Sequence, residues 1–280
     1  MKTFTVTIPG FTIAGKAWGN PELPPMLALH GWLDNANSFD LVAPYLEKQF
    51  YLIAVDLPGH GHSSHLPAGC YYHFSDGIFT CLQIIHALGF KHIHLLGHSM
   101  GACLASLIAG VAAEQVLSLI LIEGLGPFSQ PEQTCRKQLA QYIHHLKGEN
   151  KEAKPYQSLD LAAQARAKRG YLSLDYAKII CQRGVVKRKE SFYWRHDRRL
   201  LNPTPLYMTE GQILSCLQGI TARSLLILAD NGFVFKDFDM QERIKAVKNL
   251  QINQMQGGHH IHMEQPDAIA QRLVEFYNIR

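Results

Sequence analysis

Apolar and polar positions alternate twice near the start of the chain, over Thr3 to Ile8 and over Phe11 to Trp18, with Pro9-Gly10 between them. Two period-two segments joined by a turn dipeptide predict an opening β-hairpin. The pattern then changes. Short apolar runs recur at Met26-Leu-Ala-Leu29, Tyr51 to Val55, His92 to Leu96, Leu117 to Ile122 and Ser224 to Leu228, separated by stretches with helical spacing, and a last strand follows at Leu250 to Met255. A strand apolar on both sides must be covered on both faces. Such strands alternating with helices predict an α/β fold: a parallel sheet with right-handed crossovers and helices on each face.

The alternation lapses between about Pro127 and Pro205. Helical patterns at Glu132 to Leu146, Leu159 to Lys168 and Asp175 to Arg183 occur there with no convincing buried strand. The segment 127–205 is therefore expected to be a helical cap, or lid, over the carboxyl edge of a core built from 1–126 and 206–280. Tyr156, Tyr171, Tyr176, Phe192, Tyr193 and Trp194 supply more aromatic surface than a solvated tether would carry.

With 280 residues, 47% of them hydrophobic and 18% charged, the chain can bury a substantial core. Its formal charge of +4 is small, and the most basic run, Lys187-Arg188-Lys189, lacks the basic-aromatic interleaving of a nucleic-acid surface. No nucleic-acid partner is expected; the run reads as a solvated face, or as a guide for an anionic substrate. The six cysteines form no Cys-x-x-Cys pair, which argues against a redox motif or zinc knuckle and for reduced thiols in a cytoplasmic protein. No run approaches the roughly 20 apolar residues of a membrane span, and the N-terminus lacks the apolar stretch of a signal peptide.

The chemistry is concentrated where predicted strands end. Gly97-His98-Ser99-Met100-Gly101 follows one apolar run and leads into the small-residue helical pattern Ala102 to Ala109, so Ser99 stands at the apex of a strand-turn-helix. Glycines on either side let strand and helix approach closely enough to expose the hydroxyl of a nucleophile held in a strained conformation. The loop His30-Gly31-Trp32-Leu33-Asp34-Asn35 can turn a backbone amide toward it, and the N–H groups of Trp32 and Met100 are the candidate oxyanion donors. The indole of Trp32 reads separately as an ordinary core aromatic.

Near the C-terminus, Gly257-Gly258-His259-His260-Ile261-His262 places histidines just after the last strand. His259, next to the turn, is the candidate general base, with His260 and His262 as packing or supporting groups. A metal site built from these three lacks a carboxylate or cysteine placed to complete it, and His60 and His62 lack a third ligand. Asp56 to Ser64, which contains that pair, reads as a tight loop shaping the crevice. Two carboxylates qualify as the residue that orients the base: Glu123, directly after the sixth strand, and Asp230, after the seventh. Each has another possible use, Glu123 as a hinge of the lid and Asp230 as a turn former with Asn231-Gly232.

Together these segments resemble the α/β-hydrolase family, and within it the serine hydrolase-like subgroup. The resemblance spans nearly the whole chain and is carried by Lys16 to Gly19, Leu29 to Asp40, Asp56 to Ser64, Gly97 to Gly101, Gln182-Arg-Gly184, Arg195 to Leu200 and His259 to Pro266. It implies an α/β-hydrolase fold with a mostly parallel eight-stranded sheet, a helical cap and a Ser-His-acid triad acting on small esters, thioesters or related acyl compounds, without cofactor or metal. Most of the family carries Gly-x-x-Asp after the seventh strand, whereas this chain has Ala229-Asp230-Asn231-Gly232. Relatives lacking that aspartate place the acid after the sixth strand, which favours Glu123. Haloalkane dehalogenases and epoxide hydrolases have aspartate where this chain has Ser99, so those activities are disfavoured. Carbon–carbon bond hydrolases share the triad, and a ligand-binding module with weak or no hydrolysis is the alternative of another class.

Overall fold

Leu119 and Leu121 pack into one hydrophobic layer while Ile120 and Ile122, their neighbours on the same strand, pack into another. Successive side chains of a strand point to opposite faces, so a continuous apolar run is what a sheet covered on both sides requires. The same division holds for Leu27 and Leu29 against Met26 and Ala28, and for Ile53 and Val55 against Leu52 and Ala54. Each such side chain, fully buried, contributes about 1.5–3 kcal/mol for the larger aliphatics.

The computed structural model describes residues 1–147, 154–169, 172–233 and 240–278. Its main sheet contains β1 (Lys2–Ile8), β2 (Phe11–Trp18), β3 (Pro25–Leu29), β4 (Tyr51–Val55), β5 (Ile93–His98), β6 (Val116–Ile122), β9 (Arg223–Asn231) and β10 (Leu250–Gly258), in the order β1-β2-β4-β3-β5-β6-β9-β10. β1 and β2 form the predicted antiparallel hairpin and β2 runs antiparallel to β4; every other pairing is parallel. One face carries α2 (Asp76–Ala87), α3 (Met100–Val111) and α7 (Glu210–Gln218). The other carries α1 (Ala43–Leu46), α9 (Ile261–Glu264) and α10 (Pro266–Asn278), and α8 (Met240–Ala246) packs beside α7.

Between β6 and β9 the chain leaves the sheet and forms α4 (Cys135–Leu146), α5 (Leu159–Lys168) and α6 (Leu174–Gly184), close to the predicted helical patterns. Ser158 and Ser173 cap α5 and α6 through their side-chain oxygens. Ala162, Ala163, Ala177, Ile180 and Cys181 form a separate small core there. One expectation fails: this segment is not purely helical, because Val185–Arg188 (β7) and Ser191–Trp194 (β8) pair as a two-stranded antiparallel hairpin. Most of its residues are half-buried or exposed, so it has no apolar run to announce it. Tyr171 lies outside the described residues.

Candidate active site

Ser99 sits between β5 and α3 with φ +52° and ψ −118°, a conformation that a residue with a Cβ rarely adopts. Its amide donates to Ile122 O (2.8 Å) and its carbonyl accepts from Cys103 N, which fixes the turn from both sides. The flanking glycines are explained by contact distances. A Cβ on Gly101 would lie 2.0 Å from Leu29 O, and one on Gly97 would lie 2.5 Å from the Ala102 Cα.

Three of the predicted residues meet in one line. Ser99 Oγ lies 2.8 Å from His259 Nε2, and His259 Nδ1 lies 3.0 Å from Glu123 Oε2. A carboxylate accepts, so Nδ1 is the donor and Nε2 faces the serine hydroxyl as acceptor. Glu123 is almost fully buried, and its carboxylate also accepts from the amides of Ala229 (2.6 Å) and Phe233 (2.9 Å). Its own backbone has φ +57°. Gly232 makes the arrangement possible, since a Cβ there would come within 2.1 Å of Glu123 Oε2. Asp230 is placed elsewhere: it is exposed, and its Oδ1 accepts from the Gly257 amide (2.8 Å).

The loop after β3 lies beside this line. Trp32 and Met100 both face the cavity that contains Ser99. Met100 is the first residue of α3, where a helix supplies no carbonyl for its amide. Trp32 is not a core aromatic; its ring is half exposed and its indole N–H donates to Leu200 O (3.1 Å) in the segment between β6 and β9. His30 and His60 tie the neighbouring loops together. His30 accepts from Leu57 N (3.0 Å), and His60 accepts from Leu33 N (3.2 Å) while facing Pro58 O. Burial pushes His60 down to about 3 and lowers His30, so both act as neutral hydrogen-bonding groups.

A buried polar network backs the histidine loop. Asp34 Oδ1 accepts from Arg166 Nη2 of α5 (2.8 Å), and its Oδ2 lies 3.1 Å from His260 Nε2. Burial opposes the charge, but Arg166 and His260 hold the Asp34 carboxyl well below its usual range. His98 Nε2 meets the carbonyl of His259 at 2.9 Å, and His262 Nε2 meets Ser38 Oγ at 2.8 Å. His260 and His262 are thus bonded to Asp34 and Ser38. The expectation that no carboxylate stands near these histidines is corrected, because Asp34, His98 and His260 each bring a ligand atom within 4.8 Å of the others. The donor set fits a cation poorly: both Asp34 oxygens are engaged, one by a guanidinium that would repel it.

Other cross-connections were not foreseen. Asp56, fully buried, accepts from the amides of Ala36 (2.8 Å) and His62 (2.7 Å) and from Arg183 Nε of α6 (2.9 and 2.8 Å). Asp197 accepts from Tyr72 Oη (2.9 Å), and Arg199 donates to the carbonyls of Leu66, Pro67 and Cys70. The bonds of Arg183 to Asp56, of Tyr72 to Asp197 and of Arg199 to those carbonyls span 125 to 133 positions, and no local signal in the sequence joins them. Above Ser99 opens a cavity of about 1400 Å³, lined by Phe74, Phe128, Trp194, Leu206, Phe233 and other largely apolar groups. Among the described residues, no helix is long and apolar enough to cross a membrane.

Comparison with known proteins places this geometry. The family model described as alpha/beta hydrolase fold matches residues 24–266. A serine hydrolase-like protein of Dictyostelium discoideum is 32% identical over 95% of this chain and 79% of its own length; one of Danio rerio is 29% identical over 98% and 87%. Among solved structures, a hypothetical protein of Pseudomonas aeruginosa PAO1 is 32% identical with a TM-score of 0.91, covering 99% of this chain and 97% of its own. The thioesterase domain from the curacin biosynthetic pathway is 26% identical with a TM-score of 0.85, covering 98% and 99%. The match over most of its length, on an eight-stranded sheet with a serine at the β5–α3 turn, shows that the chain belongs to the α/β-hydrolase family.

Proposed function

We propose that the protein is a serine hydrolase acting on small carboxylic esters or thioesters, with Ser99, His259 and Glu123 as its triad. The observation that carries this reading is the hydrogen-bonded line from Ser99 Oγ through both nitrogens of His259 to Glu123, at the base of the apolar cavity. In the proposed reaction Ser99 Oγ attacks the acyl carbonyl as His259 Nε2 takes its proton. The amides of Trp32 and Met100 hold the developing oxyanion, each such donor being worth about 3–4 kcal/mol in the transition state. The intermediate collapses to the acyl-enzyme and expels the alcohol or thiol, which receives the proton from His259. Water then attacks the acyl-enzyme by the same route and releases the acid and free Ser99.

Residues 127–205 are read as the cap of this site, since Trp194, Leu200 and Leu201 line the cavity from that segment. The ligand-binding alternative rested on the displaced aspartate, and Glu123 in contact with His259 leaves it without that support. The test is labelling of the folded protein with a fluorophosphonate, with the modified peptide identified by mass spectrometry. Modification at Ser99 is expected, together with its loss in Ser99→Ala; folded protein that stays unlabelled would remove the reading.

A further inference from the structure

The charged groups around the cavity divide into engaged and unengaged. Both carboxylates are engaged: Glu123 by His259 and two backbone amides, and Asp34 by Arg166 and His260. Arg166 is correspondingly held by Asp34. Arg169, at the end of α5, lines the same cavity and makes no ion pair or side-chain hydrogen bond among the described residues. It is exposed, so among the described residues it is a cation of the cavity wall that a ligand can reach without displacing a protein partner.

The surroundings have the same sign. His196 lines this wall, and Arg169 and Arg166 both add to the burial that pushes it down to about 4. It is a neutral hydrogen-bonding group under a positive potential. Arg166 Nε is buried without a hydrogen-bond partner among the described residues. The chain's formal charge of +4 also hides a division. Residues 127–205 contain sixteen Lys and Arg against seven Asp and Glu, while the remainder contains eleven against sixteen. A cationic cap over a less basic core draws anions toward the cavity.

We propose that Arg169, with Arg166 and His196 beside it, forms a subsite for an anionic group of the substrate, so that the preferred acyl compounds carry a carboxylate or phosphate away from the scissile bond. The proposal rests on the hydrolase reading and narrows its substrate class. A cation at the C-terminal end of α5 also complements the helix dipole. That role would alter stability and leave discrimination between charged and neutral substrates unchanged.

Two matched pairs test it and separate the sources of charge. The 4-methylumbelliferyl monoester of adipate against 4-methylumbelliferyl heptanoate places a carboxylate on the acyl side. Butyryl-phosphopantetheine against butyryl-pantetheine places a phosphate on the leaving thiol. In at least one pair the anionic member should have a kcat/KM at least tenfold higher, through KM. Arg169→Met should reduce that ratio about tenfold, and Arg169→Lys should restore part of it. Thermal melting with adipate and with phosphopantetheine reads the subsite without turnover; one of them should raise the Tm of the wild type and not of Arg169→Met. Ser99 labelled by fluorophosphonate but no Arg169-dependent discrimination or Tm rise overturns the subsite alone. An Arg169-dependent Tm rise with Ser99 unlabelled upholds the subsite and removes the hydrolase reading. Neither labelling nor a Tm rise removes both.

Discussion

Leu33, Ser99 and Glu123 have φ between +52° and +62°, and all three line the cavity or contact the residues that do. Holding a residue with a Cβ in that region costs on the order of 1–3 kcal/mol, which the surrounding hydrogen bonds and packing must offset. The strain aims Ser99 Oγ at His259 and turns the Glu123 carboxylate back toward the same ring. Replacing Glu123 by glutamine retains the shape but removes a pure acceptor, so the wrong histidine tautomer competes; kcat should fall about 10³- to 10⁴-fold. Asp230→Asn, which removes only the charge from an exposed group bonded to Gly257 N, should stay within a few-fold of wild type. Both follow from one assay with an active ester, and a collapse confined to Asp230→Asn would transfer the acid role to that residue. The sequence narrows the acid to these two residues. It does not contain the choice, because neither the backbone of Glu123 nor the space over Gly232 is a local property.

Among elements, β3, β4, β5, β6 and β9 were legible because each carries an apolar run toward two covered faces, and β1 and β2 because they alternate around Pro9-Gly10, while β7 and β8 were not because their mostly exposed and half-buried residues leave neither pattern. The same contrast separates the site from what holds it. Gly97 to Gly101 announces its turn locally, but Asp34, Asp56 and Asp197 acquire their roles only when α5, α6 and the segment after β8 fold over the loops of the sheet. Segments that resemble the family, such as Gln182-Arg-Gly184 and Arg195 to Leu200, thus connect the segment between β6 and β9 to the loops of the sheet. The Asp56–Arg183 pair is the most buried of these. Arg183→Met leaves a carboxylate in the interior with backbone donors alone, at a cost of roughly 3 kcal/mol. Lys187→Met, at an exposed position of the hairpin, should change stability by less than about 0.5 kcal/mol. Urea unfolding of the two variants checks this, and equal shifts would contradict the anchoring role of Asp56.

Across the whole molecule, the buried histidines make folding depend on pH. Burial is the leading cause that pushes His60 and His262 down to about 3 and His94 and His196 down to about 4, and it also lowers His30 and His98. In the unfolded chain each imidazole titrates near 6.5. Above that pH both states are neutral and the groups contribute no pH dependence. Below it the unfolded chain binds protons that the folded protein excludes, so stability is lost as pH falls toward the folded values. For the fully enclosed pair His60 and His262, the loss at pH 5 is about 2 kcal/mol each, a large share of the 5–15 kcal/mol of a typical domain. Unfolding free energy from urea titrations should therefore be level between pH 8 and 7 and fall below 6.5 with a slope of at least two protons. Equal values at pH 7.5 and 5 would refute the account. His262→Gln, whose amide can still bond Ser38, should reduce that slope by about one proton, because it removes one group that charges only on unfolding.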